Sequence, residues 1–315
     1  MRHIYKYTSP ACNKMVLLVI ATILAMGNTL IAQDTTATSA TEDTSASTVV
    51  KKKYVKSTFE GNYLIDEQTV MVPIKGTLEF GIHHRFGPTN NGFTDLFGIF
   101  GGANMRLGFA YVPISNLQVG FGANNNNMVV DFNAKYALLK QTKDNRMPVS
   151  VTLYANAAMD TRKRTSSLPI VTFSDRLTFF NQLLIARKIT NAFSVQAGIN
   201  LTHFNNVEGY YDDNKNILPK LKNDHLSFCI GGRYKISEKT AIIVNYDQPL
   251  TQHPMNNPNP NLSIGLDMRT SGHDFQVFIG NYGYTLPQDN NLLNHNDFTK
   301  GQFVIGFNIT RLYNF

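Results

Sequence analysis

From Thr58 to its C-terminus the chain runs in short segments whose apolar residues recur at every second position. That period puts successive side chains on opposite faces of an extended strand. Met128, Val130, Phe132, Ala134, Tyr136 and Leu138 fall on one face, with Asp131, Asn133 and Lys135 between them. Val149, Val151, Leu153, Ala155 and Ala157 alternate in the same way, as do Leu226, Phe228, Ile230, Tyr234 and Ile236. The pattern predicts twelve strands, at about 76–86, 103–112, 116–123, 128–139, 148–158, 176–188, 192–203, 225–236, 239–247, 261–269, 273–282 and 301–312. The sixth is ambiguous, because Phe180 and Leu184 compete with Leu177, Phe179 and Leu183 for the apolar face.

The connections carry more information than the strands. Even-numbered ones are short: Pro113-Ile114-Ser115, Ile189-Thr190-Asn191, Ser237-Glu238 and Thr270-Ser271-Gly272, with Lys140 to Pro148 somewhat longer. Odd-numbered ones are mostly long and polar (87–102, 159–175, 204–224, 248–260 and 283–300), Asn124–Asn127 being the exception. A soluble sandwich has no reason to sort loop length by parity. A transmembrane barrel does, with short periplasmic turns and long outer loops. The expected fold is therefore all-β: an antiparallel transmembrane β-barrel of about twelve strands in the outer membrane of a Gram-negative cell, both termini periplasmic. Girdle positions fall to Tyr and Phe, since the chain has no Trp.

Composition agrees. Hydrophobic residues make up 43% and charged residues 16%, which does not suit a disordered chain. Residues 1–33 read as a secretory signal peptide: Arg2, Lys6 and Lys14 precede an apolar core from Met15 to Met26, too short to span a membrane comfortably. Residues 34–57 read as a Thr/Ser/Ala-rich periplasmic linker and 58–315 as the barrel. Loss of the signal removes Cys12 and leaves Cys229, and from one thiol neither a disulfide nor a zinc site is expected. The net charge of +7 includes three basic residues of the signal and is too weak to imply nucleic acid. Lys51-Lys52-Lys53 with Lys56 is better read as a solvated or membrane-surface run.

Several segments resemble a family of predicted outer-membrane barrels known as a domain of unknown function. They include Thr58-Phe59 with Leu64-Ile65, Gly76-Thr77-Leu78-Glu79-Phe80, His84-Arg85-Phe86-Gly87, Asp95-Leu96-Phe97-Gly98 and Pro148-Val149-Ser150-Val151-Thr152. Gln182-Leu183-Leu184-Ile185-Ala186-Arg187-Lys188, Gly272-His273-Asp274-Phe275-Gln276 and Gly306-Phe307-Asn308-Ile309-Thr310-Arg311 complete the set. The resemblance implies fold and location, with no substrate, reaction or site residues attached.

Chemistry is sparse, and no enzyme is expected. His84 shares parity with Leu78, Phe80 and Ile82, but no serine pairs with it as a lipase site would require. His83 and His84 point to opposite faces, which argues against a metal there. Asp212-Asp213 and the Asn/Asp-rich stretch 288–297 offer oxygen ligands without matching an EF-hand loop. No cofactor and no metal are expected.

The remaining candidate is the lumen. Its polar parity gives Glu79, Arg85, Arg106, Asp131, Lys135, Arg233, Lys235, Asp267 and Arg269, a basic excess that would favour anionic solutes if the lumen is open. The same residues could instead pair across strands and fill the interior. Loop 87–102, with Phe93, Leu96, Phe97 and Phe100, is apolar enough to fold inward as a plug. Expected partners are outer-membrane lipid, the barrel assembly machinery, for which Phe315 ends the last strand as a signal, and a small solute. Two functions follow: a passive channel or small-solute uptake pore with weak anion preference, or a non-conducting barrel serving as anchor or binding surface through its outer loops.

Overall fold

The computed structural model describes residues 53–165 and 170–315; the expected signal peptide and nearly all of the expected linker lie outside them. Twelve strands form one closed antiparallel barrel in the order β12-β13-β14-β15-β16-β3-β4-β5-β6-β7-β8-β9. They are β3 (Thr77–Pro88), β4 (Asn104–Ile114), β5 (Leu117–Asn124), β6 (Val129–Leu139), β7 (Ser150–Asp160), β8 (Leu177–Lys188), β9 (Phe193–Phe204), β12 (Asp224–Lys235), β13 (Thr240–Pro249), β14 (Asn261–Arg269), β15 (His273–Gly280) and β16 (Val304–Asn314). Each matches an expected strand to within a few residues. The remaining strands are two small hairpins, β1 (Tyr63–Leu64) with β2 (Glu67–Gln68), and β10 (Gly209–Tyr211) with β11 (Ile217–Pro219).

Closure runs through β16 and β3, which pair from Asn314↔Thr77 to Val304↔Pro88 with one irregularity near Gly306. A closed ladder leaves no strand edge in lipid, where an unpaired backbone group costs several kcal/mol, roughly. The outward face is apolar along each strand: Met105, Leu107, Phe109 and Tyr111 on β4, and Leu226, Ile230 and Tyr234 on β12, are all exposed. Aromatic rings meet across this face. Phe109 lies 5.0 Å from Phe80 and 5.4 Å from Phe121 between centroids, and His84 stacks on Phe307 at 4.9 Å. His84 therefore sits among lipid-facing aromatics, while His83 is buried on the inner side.

The lumen is filled, but not by the segment its composition suggested. Loop 89–103 carries its aromatics outward, with Phe93 84% and Phe100 79% exposed. A short 3-10 turn and left-handed residues at Leu96 and Phe97 hold that loop in a shape that presents rather than buries those rings. The interior is occupied instead by the hairpin β1–β2, which enters at the end bearing the short turns. A seven-residue helix, α1 (Pro287–Leu293), within the long connection between β15 and β16, meets it inside the barrel from the opposite, loop end.

A charged side chain on the lipid face costs about 2–4 kcal/mol near the bilayer midplane. Ile230→Arg, in the middle of β12, should destabilise the folded barrel by that amount in urea unfolding from lipid vesicles. Ile217→Arg, on the loop hairpin, should change it little.

Candidate functional site

The inner face explains the ambiguity of the strand now labelled β8. Phe180 and Leu184 point inward, and Leu184 joins Ala186, Cys229, Ile243, Phe278 and Tyr282 in a buried apolar cluster. The other half of that cluster is Phe59, Leu64, Ile65 and Val70 from the hairpin region. An apolar side chain on the wet side of a barrel wall makes sense where a second segment covers it.

Polar contacts then fix the hairpin in register with the wall. Lys135 Nζ donates to Gln68 Oε1 at 3.0 Å, Gln196 Nε2 to the Gln68 carbonyl at 2.8 Å, and Gln276 Nε2 to the Tyr63 carbonyl at 2.9 Å. Thr152 Oγ1 donates to the Val70 carbonyl at 3.0 Å. Asn62 donates to Glu79, and Gln182 to Glu67. The Tyr63 ring meets His83 edge-on at 4.4 Å.

At the hairpin tip Ile65 has φ +66°, a conformation costly for a β-branched residue. Two wall amides hold it: its N–H donates to Gln276 Oε1 at 3.2 Å, and its carbonyl accepts from Asn308 Nδ2 at 2.6 Å. The wall is also cut to fit. A Cβ on Gly231 would fall 2.4 Å from Leu64 Cδ2, so glycine there makes room for the plug.

Asp66 is where the two fillings meet. Its Oδ2 accepts from Asn290 Nδ2 of α1 at 3.0 Å, and its Oδ1 accepts from the Tyr282 hydroxyl at 2.6 Å. The asparagine-rich stretch containing α1 is itself bound to the wall. Gln288 Nε2 donates to Asn156 Oδ1 at 2.9 Å, Ser227 Oγ to Asn291 Oδ1 at 2.9 Å, and Asn294 Nδ2 to Asn261 Oδ1 at 2.7 Å. The amides that looked like cation ligands in the sequence are spent on lumen hydrogen bonds.

Of the nine expected lumen charges, Glu79, Arg85, Arg106, Asp131, Lys135, Arg233 and Asp267 are buried in the interior. Arg106 grips Asp131 with two bonds of 2.8 Å, and Arg233 Nε lies 3.0 Å from Asp267. Arg85 bonds Asn308 at 2.9 Å and lies over the Phe278 ring at 4.5 Å. Lys235 and Arg269 sit at the turn end and are more exposed, paired with Glu238 and Glu60 respectively. Parity counting missed the inward carboxylates Asp247 and Asp274, and those the plug brings in: Glu60, Asp66 and Glu67. With them included, eight carboxyl groups stand against six basic ones, and the basic excess expected from the strands is gone. Phe315 follows β16 and is exposed.

Two cavities flank the filling. One at the turn end, about 300 Å³, is lined by Glu60, Asn62, Glu79, Arg269 and Asp274 among others. One at the loop end, about 320 Å³, includes Arg162, Arg176, Lys220, Asp289 and His295.

A closed ladder with an apolar exterior and a hydrogen-bonded interior defines a membrane-bound β-barrel. The chain belongs to the family described as Membrane bound beta barrel domain (DUF5777), which it matches over residues 59–313, so the family domain includes the plug hairpin. No curated protein matches the sequence. Solved structures similar to it include the NanC porin (8% identity, TM-score 0.48, covering 75% of this chain and 99% of that chain). The KdgM porin (9%, 0.42, 76% and 99%) and an outer membrane channel, COG4313, from Pseudomonas putida F1 (10%, 0.45, 77% and 97%) are similar too. The barrel assignment rests on the strand ladder and the family match, not on these distant likenesses.

Arg106→Leu would leave Asp131 buried without its partner and should cost about 3–5 kcal/mol of stability in urea unfolding. A second expectation concerns α1, where burial pushes the Asp289 carboxyl up to about 7. The raised value means that the seated helix binds the proton more tightly than the free chain. Its stabilisation is full below the ordinary carboxylate value near 3.8 and is lost as pH rises through about 7. Hydrogen exchange across 281–303 should therefore be faster at pH 8 than at pH 5, beyond the intrinsic pH dependence of exchange. Asp289→Asn should remove that excess.

Proposed function

We propose that this chain is an outer-membrane channel for small solutes whose lumen is held closed by a displaceable two-part plug. The observation that carries the reading is the junction at Asp66, where a turn-end hairpin and a loop-end helix meet through side-chain hydrogen bonds. Such bonds contribute about 0.5–1.5 kcal/mol each in net terms. A seat built largely from them is specific yet can be released stepwise, and cavities already open toward it from both ends. Departure of the hairpin would take Glu60, Asp66 and Glu67 with it and leave the wall charges, among them Arg85, Arg106, Lys135 and Arg233, leaning basic. The open state would then prefer anions weakly. An even number of strands leaves both termini on one side, which in this reading is the periplasmic one, where Phe315 would be available to the assembly machinery.

The apolar cluster joining Phe59, Leu64, Ile65 and Val70 to the wall favours a second reading, a permanently filled barrel that acts as an anchor or binds through its loops. Planar-bilayer recording separates the two. The intact protein should open rarely. Gly231→Val, which drives a side chain into the place of Leu64, and Ile65→Lys, which puts a charge at the buried tip, should give steady openings with an anion-leaning reversal potential in a salt gradient. Variants that fold as heat-modifiable barrels and expose the hairpin to protease, yet never conduct, would sink the channel reading.

A further inference from the structure

Where the hairpin meets the β12–β13 wall, three ligand-type side chains converge from separate elements: Glu67 of β2, Cys229 of β12 and Asp247 of β13. Each contributes one atom, and the three atoms lie within 4.8 Å of one another. All are sealed from solvent, at 1%, 0% and 1% exposure. Among the described residues, neither carboxylate has a Lys or Arg partner of the kind that serves Asp131 and Asp267.

The surroundings supply a second sign. Glu67 Oε1 and Asp247 Oδ1 accept no hydrogen bond. Gln182, almost fully buried, is aimed at the cluster: its Nε2 donates to Glu67 and to Asn200 Oδ1 at 2.9 Å and lies 3.6 Å from Cys229 Sγ, while its Oε1 has no partner. Asn245 repeats the arrangement beside Asp247, with Nδ2 at 3.2 Å from Asp247 Oδ2 and Oδ1 unpartnered. Four buried acceptor atoms thus face a shortage of positive charge. A proton shared by the two carboxyls would satisfy one pair of them and leave both amide oxygens as they are, while the thiol donates only to Asn200 Oδ1 at 3.8 Å.

We propose that Glu67, Cys229 and Asp247 bind a divalent cation of the zinc class, which clasps the plug hairpin to the barrel wall. A thiolate among the ligands selects such a metal over calcium or magnesium. Zinc takes sulfur at about 2.3 Å and carboxylate oxygen at about 2.0–2.2 Å, usually with four ligands. Closing the trio onto an ion needs only small side-chain shifts. Half a turn of the Gln182 amide, matched by one of Asn200, whose Nδ2 has no partner, brings the Gln182 oxygen to where Nε2 now faces Glu67 and Cys229, completing the set. Binding releases the thiol proton, and any carboxyl proton, to solvent. The site leaves no spacing motif, because its ligands stand at positions 67, 229 and 247 on three different strands. It requires the seated hairpin and is independent of whether the barrel ever conducts.

The test uses the full chain, folded in detergent, in a Cys12→Ser background that makes Cys229 the sole thiol. After chelator treatment the protein is titrated with Zn²⁺ and separately with Co²⁺. One equivalent should bind per chain, and Co²⁺ should produce a near-ultraviolet thiolate-to-cobalt absorption. Cys229→Ser should lose that absorption and the stoichiometric uptake, and Asp247→Asn the uptake. Gln182→Leu should weaken binding about 10–100-fold. No uptake, uptake unchanged by Cys229→Ser, or a cobalt complex without the thiolate absorption would each overturn the assignment. Should Asp247→Asn fail to fold, the near-isosteric Cys229→Ser decides the matter alone.

Discussion

Every other feature of this molecule follows from the closed hydrogen-bond ladder, whose last seam is β16 against β3. In lipid the backbone must be satisfied within the protein, and closure achieves this for all twelve strands together. It also divides side chains into two populations that obey different rules. Outward residues answer to lipid and are apolar at every second position. Inward residues are freed from lipid, and what they become depends on what occupies the lumen.

Here the occupant is protein, and the inner wall has the composition of an interface. Amides dominate it: Asn156, Gln182, Gln196, Asn200, Asn245, Gln276 and Asn308 are all buried. An amide both donates and accepts, so it can satisfy a neighbouring backbone without carrying a charge into a dry place. Two sets of full charges, Arg106–Asp131 and Arg233–Asp267, close as ion pairs in which the guanidinium supplies the compensation that burial demands, while Arg85, Lys135, Glu79 and Asp66 bond to neutral partners. The Glu67–Cys229–Asp247 corner stands out chemically because it brings two carboxylates and a thiol together.

The barrel was legible in the sequence because lipid enforces a strict period along each strand and membrane geometry sorts the connections by length. The plug was not. Residues 58–75 contain two strands of two residues each, too short to show any period, and their partners lie up to 243 residues away in the chain. Indirect signs were present. Leu184 broke the parity of β8 because it packs in the cluster with Leu64 rather than facing water, and Phe180 did so because it is buried against the Tyr154 ring. Asn290, Asn291 and Asn294 gave an excess of amides that reads as cation ligation or as a solvated loop until their wall partners are seen. Aromatic content pointed to loop 89–103 as the filler, but apolarity alone does not tell an inward segment from an outward one. The loss of the basic excess was hidden for a like reason, since Glu60, Asp66 and Glu67 belong to no barrel strand.

Both ends of the hairpin are fastened at the turn end. On one side Tyr54 bridges to Thr142 and Lys188 Nζ donates to the Lys56 carbonyl at 3.1 Å; on the other, residues 69–76 lead directly into β3. Eight residues fully extended span roughly 26–29 Å at most. A hairpin drawn from its seat therefore stays leashed beside the mouth it left, at a local concentration no free ligand would reach. Reclosure is then an intramolecular step whose rate does not depend on how many copies of the protein the membrane holds.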